Sequence, residues 1–278
     1  MKVLVTGSAG YIGQHLCRML ADTKPDIEVH KFDINEVDGD FSYKADVRIP
    51  ACLTRLGTKG IEFDAVIHLA ALVRVGESVE NPTEYYETNI TGTINVLRSI
   101  ESRNFIFAST GAAMAPSSPY GFSKRVAEDV VMEHCIKQNK DSTIFRFYNV
   151  IGTDGFAATN PDGLFYNLVR APKIGTFKLY GTDYETKDGS CVREYVHVND
   201  ICRALIKAIG RPANSIENLA YGDTRTVKEI IDIFKQTNDV EFQVIDLPRR
   251  QGDLEACYLP NPSTYMERNY SYEQMLKI

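Results

Sequence analysis

The sequence of 278 residues is poor in the features that mark membrane proteins and nucleic-acid-binding proteins. It has no apolar run that approaches the length of a membrane span. Its lysines and arginines are scattered and its formal net charge is −6, so it lacks the basic stripe that nucleic-acid binding requires. We therefore expect no membrane insertion and no nucleic-acid partner.

Cysteine and histidine are widely dispersed along the chain. The six cysteines include no C-x-x-C pair, and in a chain of this length they are typical of reduced, mostly buried thiols. The five histidines are equally scattered, so no metal site is expected. The amino-terminal MKVLVTGSAG reads at once as a strand and a turn, which leaves no room for a signal peptide. The sequence therefore predicts a cytoplasmic protein.

What the sequence does contain is a regular alternation of β-type and helical segments. This alternation predicts an α/β protein with a parallel sheet, helices on both faces and right-handed connections. From Gly152 onward the pattern becomes irregular. The predicted strands are Lys2–Gly7, Asp26–Asp33, Phe63–Ala71, Asn104–Thr110 and Ser142–Val150; helices are predicted after Gly10, over Pro82–Glu101 and Tyr120–Gln138; Arg193–Ile209 predicts a further strand and helix, and Thr226–Gln236 a late helix.

The turn after the first strand carries three glycines, Gly7, Gly10 and Gly13, in TGSAGYIGQHL. Glycines there allow a tight turn, a close approach of a pyrophosphate and close packing of helix on sheet. Asp33 ends the second strand, where a carboxylate accepts hydrogen bonds from ribose hydroxyls and repels the extra phosphate of NADP. The turn could be purely structural and Asp33 a strand-end residue, but their combination predicts an NAD site.

The stretch SPYGFSK places Tyr120 and Lys124 four residues apart. Residues at this spacing share a helix face, so such pairs also arise by chance on surface helices. The pair alone therefore decides nothing about function.

Longer blocks of sequence carry a family resemblance from Met1 to about Tyr258. They are TGSAGYIG, ADVR, HLAALVRVGESVENPTEYYETNITGT, NFIFAST, SPYGFSK, FRFYNVIG, LYGTDYETKDGSCVREYVHVND and RRQGD, in that order. In these blocks the sequence resembles the extended short-chain dehydrogenase/reductases, and within them the UDP-glucose (UDP-galactose) 4-epimerases. The resemblance implies a Rossmann doubly wound parallel sheet, an NAD-binding domain over residues 1–150 and a smaller C-terminal substrate-binding domain over residues 151–278. The segment of about 193–222 would return to the first domain.

The resemblance gives three residues a catalytic role. Tyr120 would be the base, although a tyrosine ordinarily titrates near pH ~10. Lys124 and the positive nicotinamide would favour its phenolate, and Lys124 would also bind the nicotinamide ribose. Thr110 would bridge the sugar oxygen and Tyr120, or else be an ordinary β-branched strand residue.

The family reaction would move hydride from C4 of the hexose to NAD while Tyr120 takes the hydroxyl proton. The 4-keto sugar would then turn over and receive the hydride on its other face, so NAD would be a recycled prosthetic group. Related 4,6-dehydratases carry an Asp-Glu pair after the threonine. Here Gly111 and Ala112 follow Thr110, so dehydration is disfavoured.

The remaining site residues are carried over from the family one by one. Residues expected around NAD, besides those already named, are Tyr11, Ile12, Asn35, Asp46, Val47, Leu69, Ala70, Ala71, Asn89, Ser109 and Tyr148. Residues expected around the UDP-sugar are Thr110, Asn149, Leu179, Tyr180, Arg193, Arg250, Asp253 and Cys257. The family also suggests a homodimer through the helices of segments 82–101 and 120–138.

Several positions depart from the family pattern. Only nine residues separate Thr110 from Tyr120, and Val73 replaces a lysine near the site. The segment GLFYN, Gly163–Asn167, replaces an Asn- or His-Leu-Ile-Pro run, so one diphosphate contact is expected to be missing. Cys257 stands where the family has a residue beside C2 of the sugar, and a small residue there would admit N-acetylated sugars. A buried thiol of no special function, or an alignment shifted to Tyr258, would remove that inference.

Three functions stay open on the sequence. The first is a UDP-hexose 4-epimerase, and the second is an NAD-dependent enzyme acting on another nucleotide sugar, such as a uronic acid or a deoxysugar. The third is a non-catalytic NAD-binding protein on the same fold. The presence of Thr110, Tyr120 and Lys124 together argues against the third.

Overall fold

The computed structural model of the protein describes residues 1–57, 60–250, 252–257 and 263–278. Tyr258, at which the alternative alignment falls, lies outside the described residues. The strands in chain order are β1 (Lys2–Thr6), β2 (Glu28–Asp33), β3 (Ser42–Lys44), β4 (Phe63–His68), β5 (Ser102–Thr110), β6 (Asp141–Phe147), β7 (Asn149–Ile151), β8 (Thr176–Tyr180), β9 (Val192–His197), β10 (Asn214–Leu219), β11 (Thr224–Thr226), β12 (Gln243–Leu247) and β13 (Ala256–Cys257).

The helices show one clear departure from the sequence pattern. The segment predicted as one helix over Pro82–Glu101 is divided by a π-helical turn, Glu87–Thr91, which turns Asn89 into the interior. The α-helices are α1 (Tyr11–Thr23), α2 (Pro50–Gly57), α3 (Val75–Glu80), α4 (Pro82–Tyr86), α5 (Gly92–Ser99), α6 (Pro119–Lys137), α7 (Leu164–Ile174), α8 (Val198–Ala208), α9 (Val227–Asn238) and α10 (Tyr272–Leu276), with a 3₁₀ turn at Gly111–Ala113.

The main sheet is parallel and has the strand order β3-β2-β1-β4-β5-β6-β10. Strand β1 lies inside the sheet, between β2 and β4, and its residues Val3, Leu4 and Val5 have no exposed surface. A central parallel strand covered on both faces needs such a continuous apolar run. Chain order reverses between β1 and β4, which is the arrangement of the Rossmann fold and confirms the predicted fold class.

Each face of the sheet has its own apolar core, because side chains alternate along a strand. Val3 and Val5 pack in one cluster with residues of α1 and α8. Leu4 points to the opposite face, where it belongs to a cluster with Val96 of α5 and Val131 of α6. Helix α6, which carries Tyr120 and Lys124, is therefore fixed on one face of the sheet, beside β5 and β6.

The remaining strands belong to a second, smaller region of the structure. In it β9 pairs with β7, β11 and β13, and β8 pairs with β12. Helices α7, α9 and α10 pack around Phe165, Tyr195 and Phe234. After β9 the chain returns to the main sheet through α8 and β10, which is the segment for which a return was expected. The exact domain boundary at residue 150 stays a prediction.

Candidate active site

A cleft of about 1240 Å³ opens where β1, β4, β5 and β6 end, between the main sheet and the smaller region. Ligands of doubly wound folds bind at this edge, at the point where strand order reverses. The lining contains the glycine turn, all three predicted catalytic residues and Asn149, Arg193 and Arg250 from the other side. The fold thus brings together residues as far apart in the chain as Gly7 and Arg250.

The glycine turn has the shape that a dinucleotide requires. Gly7 has a φ of +73°, and a Cβ on it would lie 2.7 Å from the backbone nitrogen of Ala70. A Cβ on Gly13 would overlap the carbonyl oxygen of Gly7. The Ser8 hydroxyl in this turn is buried and has no hydrogen-bond partner, and α1 begins at Tyr11 without a side-chain cap. These residues fit NAD, because the turn leaves backbone N–H groups and a helix N-terminus for its pyrophosphate.

Asp33 stabilises this turn in addition to its expected role. One of its carboxylate oxygens accepts the N–H of Ala9 at 2.9 Å, and the other accepts the N–H of Asn35 at 2.9 Å. The side chain is buried at the end of β2. A carboxylate oxygen accepts more than one hydrogen bond, so Asp33 can serve the turn and a ribose hydroxyl together.

Most of the other expected NAD residues divide into two groups. Gly10, Tyr11, Ile12, Leu69, Ala71, Ser109 and Tyr148 lie in the cleft lining. The lining does not include Asp33, Asn35, Asp46, Val47, Ala70 or Asn89. Asp46 is paired with Arg48 at 2.6 Å, which lowers the pKa of its carboxyl, and Val47 packs in the core.

The buried side chain of Asn89 joins two segments of the chain by hydrogen bonds. Its side-chain amide donates to the carbonyl of Leu72 and to the hydroxyl of Ser123, and its oxygen accepts the N–H of Leu72, all at 2.9 Å. Ser123 in turn donates to the carbonyl of Tyr120 at 2.8 Å. Asn89 thus ties the loop after β4 to the first turn of α6.

Thr110, Tyr120 and Lys124 meet at the floor of the cleft. Thr110 is the last residue of β5, and Tyr120 lies in the first turn of α6, which Ser118 caps by accepting the N–H of Gly121. The Thr110 hydroxyl is near enough to the Tyr120 phenol to lower its pKa. The short segment of nine residues between them is therefore long enough to bring the two residues close together.

The ionisation of Tyr120 differs from the expectation drawn from the sequence. Burial raises the pKa of Tyr120 to about 12, and the hydrogen bond from Thr110 offsets only part of this effect. Lys124 is itself deprived of much of its charge. Burial lowers the pKa of Lys124 to about 7, which the nearby Glu128 carboxylate opposes. The protein alone does not prepare a phenolate at neutral pH, so a bound nicotinamide, with its positive charge, would have to supply more of that effect than the sequence suggested.

The Lys124 ammonium lies over an aromatic ring rather than against a carboxylate. Its Nζ is 4.1 Å from the centroid of Phe107, and the side chain is 3% exposed. Burial, and to a smaller extent the nearby Lys124, lowers the pKa of the His68 imidazole to about 3. His68 is therefore neutral, and it bonds to the hydroxyls of Thr6 at 2.6 Å and Thr93 at 3.0 Å.

Glu128 and Arg146, which the sequence analysis did not identify, form an ion pair next to these residues. Glu128 has no exposed surface, and it accepts hydrogen bonds from Arg146 Nε at 2.8 Å and Nη2 at 2.6 Å. The Ser109 hydroxyl also donates to Glu128. Tyr120, Lys124 and Glu128 recur at intervals of four on α6, which is the one sequence signal that could have found this residue.

The wall formed by the smaller region carries the expected UDP-sugar residues. Asn149, Leu179, Tyr180, Arg193, Arg250, Asp253 and Cys257 all line the cleft. The guanidinium of Arg250 lies 3.8 Å from the ring centroid of Tyr180, and Arg193 donates to the carbonyls of Val192 at 2.9 Å and Leu254 at 2.6 Å. Cys257 is next to Arg193 on the paired strand, and burial raises the pKa of its thiol.

Two further observations concern the described residues as a whole. Within them no group of three or more His, Cys, Asp or Glu side chains has a metal-binding arrangement. Among the helices of the same residues, none has both the length and the apolar character of a membrane span.

The strand order, the glycine turn and the Thr-Tyr-Lys set define an extended short-chain dehydrogenase/reductase that uses NAD. The model of the NAD dependent epimerase/dehydratase family matches residues 3–222. The chain belongs to this family.

Individual relatives cover nearly the whole chain. It is 30% identical to the UDP-glucose 4-epimerase of Haemophilus influenzae, over 93% of this chain and 89% of that protein. It is 31% identical to the probable UDP-arabinose 4-epimerase 1 of Oryza sativa, over 97% of this chain and 75% of that protein. The crystal structure of UDP-glucose 4-epimerase from Bifidobacterium longum with NAD+ and UDP superposes with a TM-score of 0.87 at 26% identity, covering 99% of this chain and 96% of that one.

Proposed function

We propose that the protein is an NAD-dependent UDP-hexose 4-epimerase that interconverts UDP-glucose and UDP-galactose. The observation that carries this proposal is the convergence of Thr110, Tyr120 and Lys124 between a dinucleotide turn and an arginine-bearing wall. Gly111 and Ala112 follow Thr110 and have no acid–base group, so the site suits oxidation and reduction at one carbon without loss of water.

Each catalytic residue has a defined task in this reaction. NAD, when bound on the glycine turn, supplies the group that takes hydride from C4 and returns it. Tyr120 removes the proton of the C4 hydroxyl and later gives it back, as a general base and acid. Thr110 positions the phenol, since its hydroxyl is near enough to lower the pKa of Tyr120. Lys124 favours the phenolate when it is protonated and reaches the nicotinamide ribose.

The opposite wall binds the nucleotide and leaves the sugar free to turn over. Arginine recognises a diphosphate because its fork donates in pairs, and Arg193 and Arg250 are both in the lining. A hexose held only through its diphosphate can present either face of C4 to the same reacting groups. This explains how one tyrosine serves both directions.

The direct test is to incubate the purified protein with UDP-galactose and no added NAD. UDP-glucose should accumulate until the two sugars reach equilibrium, because the cofactor is regenerated in each cycle. UDP-arabinose should be assayed beside it, since one relative is a probable UDP-arabinose 4-epimerase. Failure to convert any UDP-sugar, in protein shown to contain NAD, would contradict the proposal.

The proposal extends to UDP-N-acetylglucosamine and UDP-N-acetylgalactosamine through Cys257. This residue lines the cleft on β13, and a cysteine is much smaller than a tyrosine. The space beside C2 of the sugar would then hold an acetamido group. The N-acetyl activity is a separate assay from the hexose activity, so it can fail without affecting the main proposal.

We also propose a cytoplasmic homodimer. All six cysteines, each among the described residues, are unpaired, as expected in a reducing compartment. On the outer face of α4 and α6, Tyr86 and Phe122 are 36% and 52% exposed, and their rings pack edge to face at 6.2 Å. Such a pair suits an interface between copies. Light scattering should give twice the mass of 31.2 kDa, and Phe122→Glu should give the monomer mass.

A further inference from the structure

Arg74 and Asp162 form an ion pair across the mouth of the cleft. Arg74 follows β4 on the main-sheet side, and Asp162 precedes α7 in the smaller region. Arg74 Nε and Asp162 Oδ2 are 2.7 Å apart, and the side chains are 38% and 36% exposed. Both residues line the cleft. The pair therefore lies where a ligand has to pass or bind.

Arg250 reaches the same residue from a third segment. Its Nη1 donates to the backbone carbonyl of Asp162 at 3.1 Å, while its guanidinium is stacked on Tyr180. Helix α7, of 11 residues, begins two positions after Asp162, and its N-cap Gly163 contributes no side-chain cap. Two guanidinium groups and a helix N-terminus, all of which attract anions, thus lie around Asp162, with one guanidinium on its carboxylate and the other on its backbone carbonyl.

The guanidinium of Arg74 has a second carboxylate partner, Glu77. Glu77 accepts Arg74 Nη1 at 3.1 Å, and Tyr85 donates its hydroxyl to Glu77 at 2.9 Å. The Tyr85 hydroxyl also accepts the backbone N–H of Arg74 at 3.0 Å. The buried ring of Tyr85 packs edge to face on Tyr120 at 6.4 Å. The position of Arg74 is therefore fixed relative to the catalytic tyrosine.

We propose that Arg74 is a diphosphate-binding residue of the cleft, and that Asp162 holds its guanidinium until the diphosphate of a nucleotide sugar takes it over. This inference rests on the proposed function, which places a nucleotide diphosphate in the cleft. Val73 and Gly163 leave the site short of two polar side chains that the family resemblance led us to expect. Arg74 supplies a cation beside both positions.

The arrangement has a measurable consequence for affinity. The Asp162 carboxylate competes with the diphosphate for Arg74 and repels it, so it weakens binding. Asp162→Asn removes this competition and should tighten the binding of UDP by roughly threefold. Arg74→Met keeps the apolar stem and removes the charge, and it should weaken UDP binding by roughly tenfold, as expected for the loss of a charge-assisted hydrogen bond. In the double variant the gain in affinity from Asp162→Asn should shrink, because that gain arises mainly from the release of Arg74.

The experiment is titration calorimetry of UDP into the NAD-loaded full chain and into each variant. Glu62→Gln is the matched control, since Glu62 pairs with Arg103 Nε at 3.1 Å on the exposed surface, away from the cleft lining. It should bind UDP as the parent does, and thermal unfolding should show that every variant is folded. If the parent binds no UDP, the proposed function fails and this inference with it. If the parent binds UDP and Arg74→Met binds it equally well, or Asp162→Asn binds it more weakly, the role of Arg74 alone is refuted.

Discussion

The Glu128 carboxylate, on the buried side of helix α6, is bonded at both oxygens to the guanidinium of Arg146. Arg146 lies on β6 directly opposite Ser109, the residue before Thr110, and Ser109 also donates to Glu128. The ion pair and the Ser109 hydrogen bond therefore join α6, β5 and β6 next to Thr110. Helix α6 cannot shift along the sheet without breaking them.

Glu128→Gln should affect both stability and the pH profile. It leaves the partly buried Arg146 without its counter-charge, so the free energy of unfolding should fall by about 3 kcal/mol. Glu128 also raises the pKa of Lys124. Without its charge the pKa of Lys124 falls, and the alkaline limb of kcat against pH should move to lower pH. Glu133→Gln, an exposed change on the same helix, is the control. A destabilised variant with an unshifted limb would leave Glu128 with a structural role alone.

Tyr120→Phe should reduce turnover by at least about 10²-fold, the lower end of what a general acid–base group contributes. The phenyl ring still packs against Tyr85, so the cofactor should be retained. Turnover and the molar ratio of released NAD are the two measurements. Tyr86→Phe, on the exposed face of α4, should match the parent in both. Parent-like turnover in Tyr120→Phe would remove Tyr120 from the mechanism.

The purified protein should carry NAD rather than NADP, because the Asp33 carboxylate would face the added phosphate. Mass analysis of the cofactor released on denaturation measures this directly. Asp33→Asn should weaken the preference and also loosen the glycine turn, since Asp33 accepts the N–H of Ala9. Asp26→Asn, at an exposed position before the opposite end of β2, should change neither. Release of NADP as the main species from the parent would overturn the role of Asp33.

Cys257→Tyr should suppress the N-acetyl reaction and spare the hexose reaction, because a ring in the cleft would clash with the larger substrate. Cys257→Ser keeps the small volume and should retain both reactions. The ratio of the two kcat/KM values is the quantity to compare. Equal loss of both activities, or no N-acetyl activity in the parent, would count against a gate at this residue.

Acid should destabilise the fold through His68. Its imidazole has a pKa near 3 in the folded protein and near ~6.5 when unfolded, so only the unfolded chain takes up the proton between these values. The free energy of unfolding should therefore fall as pH is lowered from about 6.5 towards 3. Buried His197, whose pKa is lowered to about 4, contributes in the same direction. His68→Gln should show a flatter dependence in chemical denaturation across this window, and an unchanged slope would contradict the assignment.

The sequence predicted those parts of the fold that depend on local patterns. The apolar run of β1, the glycine turn and the helix after Ser118 follow from residue types at fixed spacing. The sequence also predicted that Tyr120 and Lys124 share one cleft, because the blocks of family resemblance include both residues.

Contacts between distant segments could not be predicted in the same way. The pairing of Glu128 with Arg146 depends on how α6 lies on the sheet, and that of Arg74 with Asp162 on how two regions meet. The raised pKa of Tyr120 is a consequence of burial, which sequence spacing does not report. The π turn that carries Asn89 has no residue pattern of its own.

In the proposed reaction C4 of the hexose is oxidised and reduced within one site by the same cofactor. The measurement is proton NMR of UDP-galactose turned over in D₂O without added NAD. Hydrogen that leaves C4 as hydride and returns from the same bound cofactor never exchanges with solvent. The UDP-glucose formed should therefore carry protium at C4, and Tyr120→Phe should form little of it. Deuterium at C4 of the product would show that a proton had been exchanged with solvent, and it would contradict the account.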